Sequence, residues 1–177
     1  MKRACFLSGS PGTGKTTIIK QVVNNWWGSA GGFYTEEIRA GGVRQGFRIV
    51  TLDGKSAILA HVNIKSPHRV SKYRVDVESL DKVGVSAVRE ATRKCDMVVI
   101  DEIGKMELFS DAFKEATLEA INSGKRILGT IMLSSHPWAD EIKRHPHVAV
   151  ITLTRENRNQ VLEQMLKFVE SPERGMG

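Results

Sequence analysis

The chain has 177 residues, 41% of them hydrophobic, which suits the core of a single domain and excludes a disordered or fibrous chain. Its formal net charge of +6 fits anionic ligands such as nucleotides. No run of like charges reaches five, so the 26 Lys and Arg read as a generally solvated basic surface rather than a nucleic-acid stripe.

The first predicted element is a short buried strand over 2–8, carrying Cys5. Gly9-Ser10-Pro11-Gly12-Thr13-Gly14-Lys15-Thr16 follows and matches G-x-x-x-x-G-K-[ST], between a strand and an amphipathic helix as that pattern requires. Glycines at 9, 12 and 14 let the backbone curl until successive N–H groups face phosphate oxygens, with Ser10, Pro11 and Thr13 completing the loop. The helix that starts there adds its N-terminal dipole. Lys15 puts a cation on the β- and γ-phosphates, Thr16 offers a hydroxyl to Mg²⁺, and Thr17 is placed to contact the α-phosphate. The helix is expected over 15–27 on its i, i+4 apolar pairs, with Gly28 as the stop.

Residues 31–62 change character. Strands are expected at 33–39, 47–52 and 56–62, with Gly41-Gly42 and Asp53-Gly54 as turns. This antiparallel meander attaches to an otherwise parallel sheet. Residues 63–75 read as irregular and basic, with Lys65, His68, Arg69, Lys72 and Arg74. A helix is expected over 78–93, weakened by Gly84, and a second apolar strand over 96–101, next to Cys95.

That second strand ends in Asp101-Glu102. An acid at this position in a chain with a phosphate loop holds Mg²⁺, so Asp101 takes the metal role with Thr16. Glu102, one residue past the strand end, is placed to polarise an attacking water as general base. Asp101-Glu102-Ile103-Gly104 also fits the D-x-x-G pattern of switch GTPases, but the chain has no N-K-x-D segment to read guanine. Lys105 is a candidate for stabilising γ-phosphate charge, and Glu107 for orienting water; equally, they are a loop cation and a first-turn helix acid.

The remaining elements alternate: helix 107–122, strand 126–132, helix 138–144, strand 148–153 and helix 156–170, then a frayed tail at 171–177. Thr130 and Ser134 could sense the γ-phosphate from the end of their strand. Arg39, Arg44, Arg69, Arg74 and Arg155 lie in or beside predicted loops and are the candidates for a transition-state arginine. The two cysteines lack C-x-x-C spacing and read as free thiols. No apolar run nears the roughly 18 residues of a membrane span, and the apolar start is too short for a signal peptide, so the expected location is cytoplasmic. Alternating strands and helices indicate one α/β domain over 1–177 with a mainly parallel sheet flanked by helices.

The segment Asp101-Glu102-Ile103-Gly104-Lys105-Met106-Glu107-Leu108 is more specific than a generic acidic strand end. With Gly32-Phe33-Tyr34-Thr35-Glu36-Glu37-Ile38-Arg39, Gly46-Phe47 and Leu153-Thr154-Arg155-Glu156-Asn157-Arg158, it resembles one family across nearly the whole chain. These are the small nucleoside-triphosphatases first described from thermophilic microbes, which have a vertebrate cancer-related branch. The resemblance implies a RecA-like P-loop fold and Mg²⁺-dependent hydrolysis of nucleoside triphosphates, ATP, GTP, CTP and UTP alike, to diphosphate and phosphate. It puts the family's phosphate loop on Gly9–Thr16, its metal-binding acid on Asp101, and Glu102, Lys105 and Glu107 on the signature that follows. Two other readings use the same loop. A small-molecule or nucleoside kinase would need an acceptor pocket and a lid, for which 65–74 is the candidate. A nucleic-acid-associated ATPase would draw on the basic surface.

Overall fold

The computed structural model describes residues 2–170; the predicted tail at 171–177 lies outside the described residues. The elements run β1 (Ala4–Ser8), α1 (Lys15–Asn24), β2 (Ala30–Ala40), β3 (Val43–Thr51), β4 (Ser56–His61), β5 (Arg69–Val70), β6 (Tyr73–Val75) and α2 (Val77–Ser79). They continue with α3 (Ser86–Lys94), β7 (Met97–Ile103), α4 (Asp111–Asn122), β8 (Arg126–Ile131), α5 (Pro137–Lys143), β9 (Val148–Thr152) and α6 (Arg158–Glu170). All strands join one nine-stranded sheet in the order β5-β6-β4-β3-β2-β7-β8-β1-β9. From β2 to β9 neighbouring strands are parallel, and from β2 outward to β5 they are antiparallel.

The parallel strands are apolar on both faces because both are covered. In β1, Ala4 and Phe6 join one core while Cys5 and Leu7 join the other. In β7, Val98 and Ile100 face the first core and Met97 and Val99 the second. The first core packs against α3, α4 and α5 through residues such as Val88, Phe113 and Ile142, with Phe33 meeting Phe113 edge-on at 6.3 Å. The second packs against α1 and α6 through Ile18, Ile19, Val22, Val161 and Met165. This is the expected RecA-like α/β arrangement, with the meander as an antiparallel wing.

Several boundaries differ from expectation for local reasons. α1 ends at Asn24 rather than at residue 27, because the Asn25 and Trp26 N–H groups close the last turn onto Val22 and Val23. Residues 63–75 are not wholly irregular: β5 and β6 form a hairpin that extends the sheet through β4. The helix expected over 78–93 runs from α2 to α3 through a π-helical stretch, Leu80–Val85, in which Gly84 lies against Phe33 and Ile49. The helix expected from 107 is a 3₁₀ turn, Glu107–Phe109, followed by a break at Ser110, whose hydroxyl caps α4 at the Phe113 N–H. Glu102 lies inside β7, not past its end. Among the described residues no helix is long and apolar enough to cross a membrane.

Candidate functional site

Parallel strands bring their C-terminal ends to one edge of the sheet, and loops leaving that edge are where α/β folds bind ligands. Here the edge receives the glycine loop after β1, Asp101 and Glu102 from β7, Thr130 from β8 and Thr35 from β2.

The loop is shaped by its glycines. Gly14 caps α1 with φ 88°, a left-handed conformation that side chains rarely adopt. A Cβ on Gly9 would lie 2.5 Å from the Leu153 carbonyl oxygen, so this glycine lets the loop leave the sheet hard against the end of β9. Thr13 Oγ1 donates to the Ser10 carbonyl at 2.9 Å, and Lys15 Nζ donates to the Gly9 carbonyl at 2.6 Å. The loop therefore holds its curl, with the α1 amino end and the lysine inside it.

Asp101 is the hub beneath the loop. It is 2% exposed, and each carboxylate oxygen accepts a hydroxyl: Thr130 Oγ1 at 2.6 Å on Oδ1 and Thr16 Oγ1 at 2.8 Å on Oδ2. Thr35 Oγ1 donates to the Asp101 backbone carbonyl at 2.6 Å. Burial pushes the Asp101 carboxyl above the usual carboxylate range, opposed by the Thr130 and Thr16 donors. The Asp101–Glu102 peptide bond is cis. Among the described residues no group of three His, Cys, Asp or Glu could hold a metal by itself. The hard oxygens of Thr16 and Asp101 are the donor set that suits an ion which keeps waters and takes its other ligands from phosphate.

Glu102 is half-buried and faces the same cleft. Burial raises its carboxyl, with the Lys15 ammonium opposing and Asp101 adding to the rise. Glu107 is 4% exposed; its Oε2 accepts the Gly104 N–H at 3.1 Å. Burial, then the nearby Glu102, push the Glu107 carboxyl up to about 8. The two glutamates meet over Gly104: a Cβ there would lie 2.7 Å from Glu102 Oε1 and 3.1 Å from Glu107 Oε2.

The raised Glu107 has a consequence for folding. The unfolded chain ionises this residue near 4.5 and the folded chain only near 8, so between those values the native state binds the extra proton. Stability contributed here is full below pH 4.5 and declines as pH rises towards 8, by up to roughly 1.4 kcal/mol per pH unit. Glu107→Gln keeps an acceptor for the Gly104 N–H and removes the titration. In metal-free buffer its melting temperature is expected to exceed the parent's at pH 8 and to converge with it near pH 5. A gap that does not change with pH would disprove this.

These groups line one cavity of about 730 Å³, with Gly9, Pro11, Gly12, Thr13, Gly14, Lys15, Thr16 and Thr17 along one side. Ser10 is not among the lining residues; it is exposed and serves the loop through its carbonyl. Lys105 is exposed at the cavity rim, beside Met106 and Glu107. Ser134 also lines it, whereas Thr130 acts through Asp101. Of the candidate arginines, Arg44 alone lines the cavity. Arg39 is held by Glu37 at 2.7 Å, Arg74 of the β5–β6 hairpin reaches the Ser66 carbonyl ahead of β5, and Arg69 and Arg155 are exposed. An arginine that sequence reasoning passed over is closer: the Arg158 guanidinium would be 3.3 Å from a Cβ on Gly14. Thr154 and Asn157 exchange N–H bonds at 2.7 and 3.2 Å just before α6, and this fixes Arg158 beside the loop. The Thr154–Asn157 spacing was the available signal for that local cap; the approach to Gly14 was not legible.

Comparison with known proteins gives a consistent result. The family model described as NTPase matches residues 4–166. Nucleoside-triphosphatase THEP1 of Thermotoga sp. (strain RQ2) is 43% identical, over 93% of this chain and 94% of that protein. The human cancer-related nucleoside-triphosphatase is 40% identical, over 97% of this chain and 98% of its own. The crystal structure of THEP1 from the hyperthermophile Aquifex aeolicus superimposes with a TM-score of 0.86 at 36% identity, covering 94% of this chain and 99% of that one.

Proposed function

Since the chain belongs to the NTPase family, we propose that it hydrolyses nucleoside 5′-triphosphates to the diphosphate and phosphate, with Mg²⁺ and with broad acceptance of ATP, GTP, CTP and UTP. The observation that carries this reading is the convergence on Asp101. Thr16 from the loop helix and Thr130 from β8 each donate to one of its oxygens, directly beneath the glycine loop and beside Glu102.

In this reading the loop N–H groups and the α1 amino end hold the β- and γ-phosphates, and Lys15 leaves the Gly9 carbonyl for phosphate oxygen. Thr16 and Asp101 hold Mg²⁺, which when bound neutralises charge on the phosphate oxygens. Thr130 and Thr35 fix the Asp101 side chain and backbone from opposite sides. Glu102, open to the cleft, orients the attacking water and takes its proton. Glu107 is buried and bonded to the Gly104 N–H, so it positions Glu102 rather than meeting water itself. Recognition by backbone and lysine reads phosphate, not base, which supports broad acceptance. Lys105 stands at the rim for charge developing on the γ-phosphate.

The direct experiment measures phosphate release from ATP, GTP, CTP and UTP with Mg²⁺ against a Lys15→Ala control. Release from all four, lost on chelation, is the expected result; release no faster than the control would refute the reading. Gly104→Ala tests the two-glutamate arrangement. Its methyl group would overlap the Glu102 carboxylate and crowd that of Glu107, so both must shift, and kcat is expected to fall tenfold or more while nucleotide affinity holds, since a shift of about 1 Å can cost 10²-fold. Unchanged kcat would show that the pair has no catalytic geometry to lose.

A further inference from the structure

The cavity does not end at the acids and the glycine loop. Beyond the acids it continues over the meander, where Phe47 of β3, Leu59 of β4 and Val70 of β5 form an apolar wall with Met106 and Met132. Water as acceptor needs no such wall.

The sheet order decides where this wall lies relative to the phosphates. β7, with Asp101 and Glu102, sits between β1, which leads into the glycine loop, and β3–β5, which carry the wall. Displacement at the γ-phosphorus brings the incoming oxygen in line with the leaving one. A molecule held on the wall therefore approaches from the acceptor side. The other flank of the loop, beside β9, is where Arg158 lies against Gly14, and that flank is left for the nucleoside.

The wall is built as a platform. Arg44 Nε donates to the Tyr73 hydroxyl at 2.9 Å, and its Nη1 meets Glu37 Oε1 at 3.1 Å. The guanidinium lies over the Phe47 and Tyr73 rings at 5.1 and 5.6 Å, and those rings meet edge-on at 5.2 Å. A planar cation over aromatic rings, next to Leu59 and Val70, suits a flat ring. Glu37 is shared between Arg39 and Arg44, and the acids that line the cavity, Glu36, Glu37, Asp101, Glu102 and Glu107, outnumber the lining cations Lys15, Arg44 and Lys105, which disfavours an anion.

We propose that this half of the cleft is an acceptor site for a neutral alcohol bearing a flat ring, and that the enzyme transfers the γ-phosphoryl group to it. The proposal rests on the placement of the triphosphate given above. The acceptor hydroxyl oxygen forms the new bond to the γ-phosphorus. The bond from that phosphorus to the β–γ bridging oxygen breaks, and its electron pair leaves with the nucleoside diphosphate. The hydroxyl proton passes to Glu102 and then to solvent. The products are a phosphomonoester and the diphosphate; water gives phosphate by the same displacement when the wall is empty.

The test uses the full chain, Mg²⁺ and γ-labelled GTP, with cytidine, uridine or pyridoxine as probe. Labelled phosphomonoester is expected from at least one probe, about tenfold faster than labelled phosphate. Val70→Trp, on a partly exposed edge strand, and Phe47→Ala are each expected to cut ester formation at least tenfold while phosphate release and the KM for GTP stay within about twofold. Phosphate without ester from every probe overturns the acceptor site and leaves the hydrolase standing. A tenfold rise in the KM for GTP in both variants also overturns it, because the nucleoside then occupies the wall. Neither product overturns the hydrolase reading and the acceptor site with it.

Discussion

Glu102→Gln is expected to lower kcat for triphosphate hydrolysis by about 10²- to 10⁴-fold with KM changed only a few-fold. The carboxylate is half-buried, opens onto the cleft and adjoins Asp101, whereas the amide has the same volume and cannot take a proton. Glu107→Gln is the paired comparison. That side chain is buried and already bonded to the Gly104 N–H, which a glutamine oxygen can also accept, so its kcat loss is expected to be the smaller of the two. Phosphate release and a nucleotide titration on both variants separate the roles. If Glu107→Gln loses the larger factor, the two assignments are exchanged.

Lys15→Ala is expected to lower kcat/KM by about 10²- to 10³-fold, the usual consequence of removing one preorganised charge from a phosphoryl-transfer site. Its Nζ lies inside the loop, 2.6 Å from the Gly9 carbonyl. That bond is a small part of the loop's support, since the close passage of Gly9 under Leu153 and the Thr13–Ser10 bond do not depend on it. The melting temperature is therefore expected to stay within a few degrees. A loss below threefold in kcat/KM would remove Lys15 from the phosphate site; a large fall in melting temperature would make it a structural residue.

The features that were legible in sequence are those whose cause is local. The glycine loop is a run of neighbours whose conformations are set by glycine and by the helix that begins at once. The strands of the core were legible because burial on both faces demands unbroken apolar runs, as in Met97–Ile100. The meander was legible because glycine turns punctuate it. What failed locally was fine-grained. The Ser110 cap splits what looked like one helix, and the β5–β6 hairpin forms because β4 offers an edge to pair with, not because its own residues insist on a strand.

The candidate site shows the same division. Lys15, Thr16, Asp101 and Glu102 were readable as types at particular strand and helix ends. Their partnership was not, because Thr16 lies 85 positions and Thr130 lies 29 positions from Asp101. Only the sheet order brings those ends together, and with them Thr35 at 66 positions. Burial, too, is a property of the assembled fold: it makes Glu107 a buried acid at the start of its 3₁₀ turn instead of a solvated one, and makes Gly104 the space in which two carboxylates meet. The sequence by itself determined that a glycine loop leading into a helix and an acidic strand end exist, since both are short-range patterns. The tertiary structure decided that they share one cleft, that Arg158 rather than Arg155 stands by the loop, and that the cleft extends over an apolar wall. Those are distances between segments remote in the chain, which packing sets and local spacing does not.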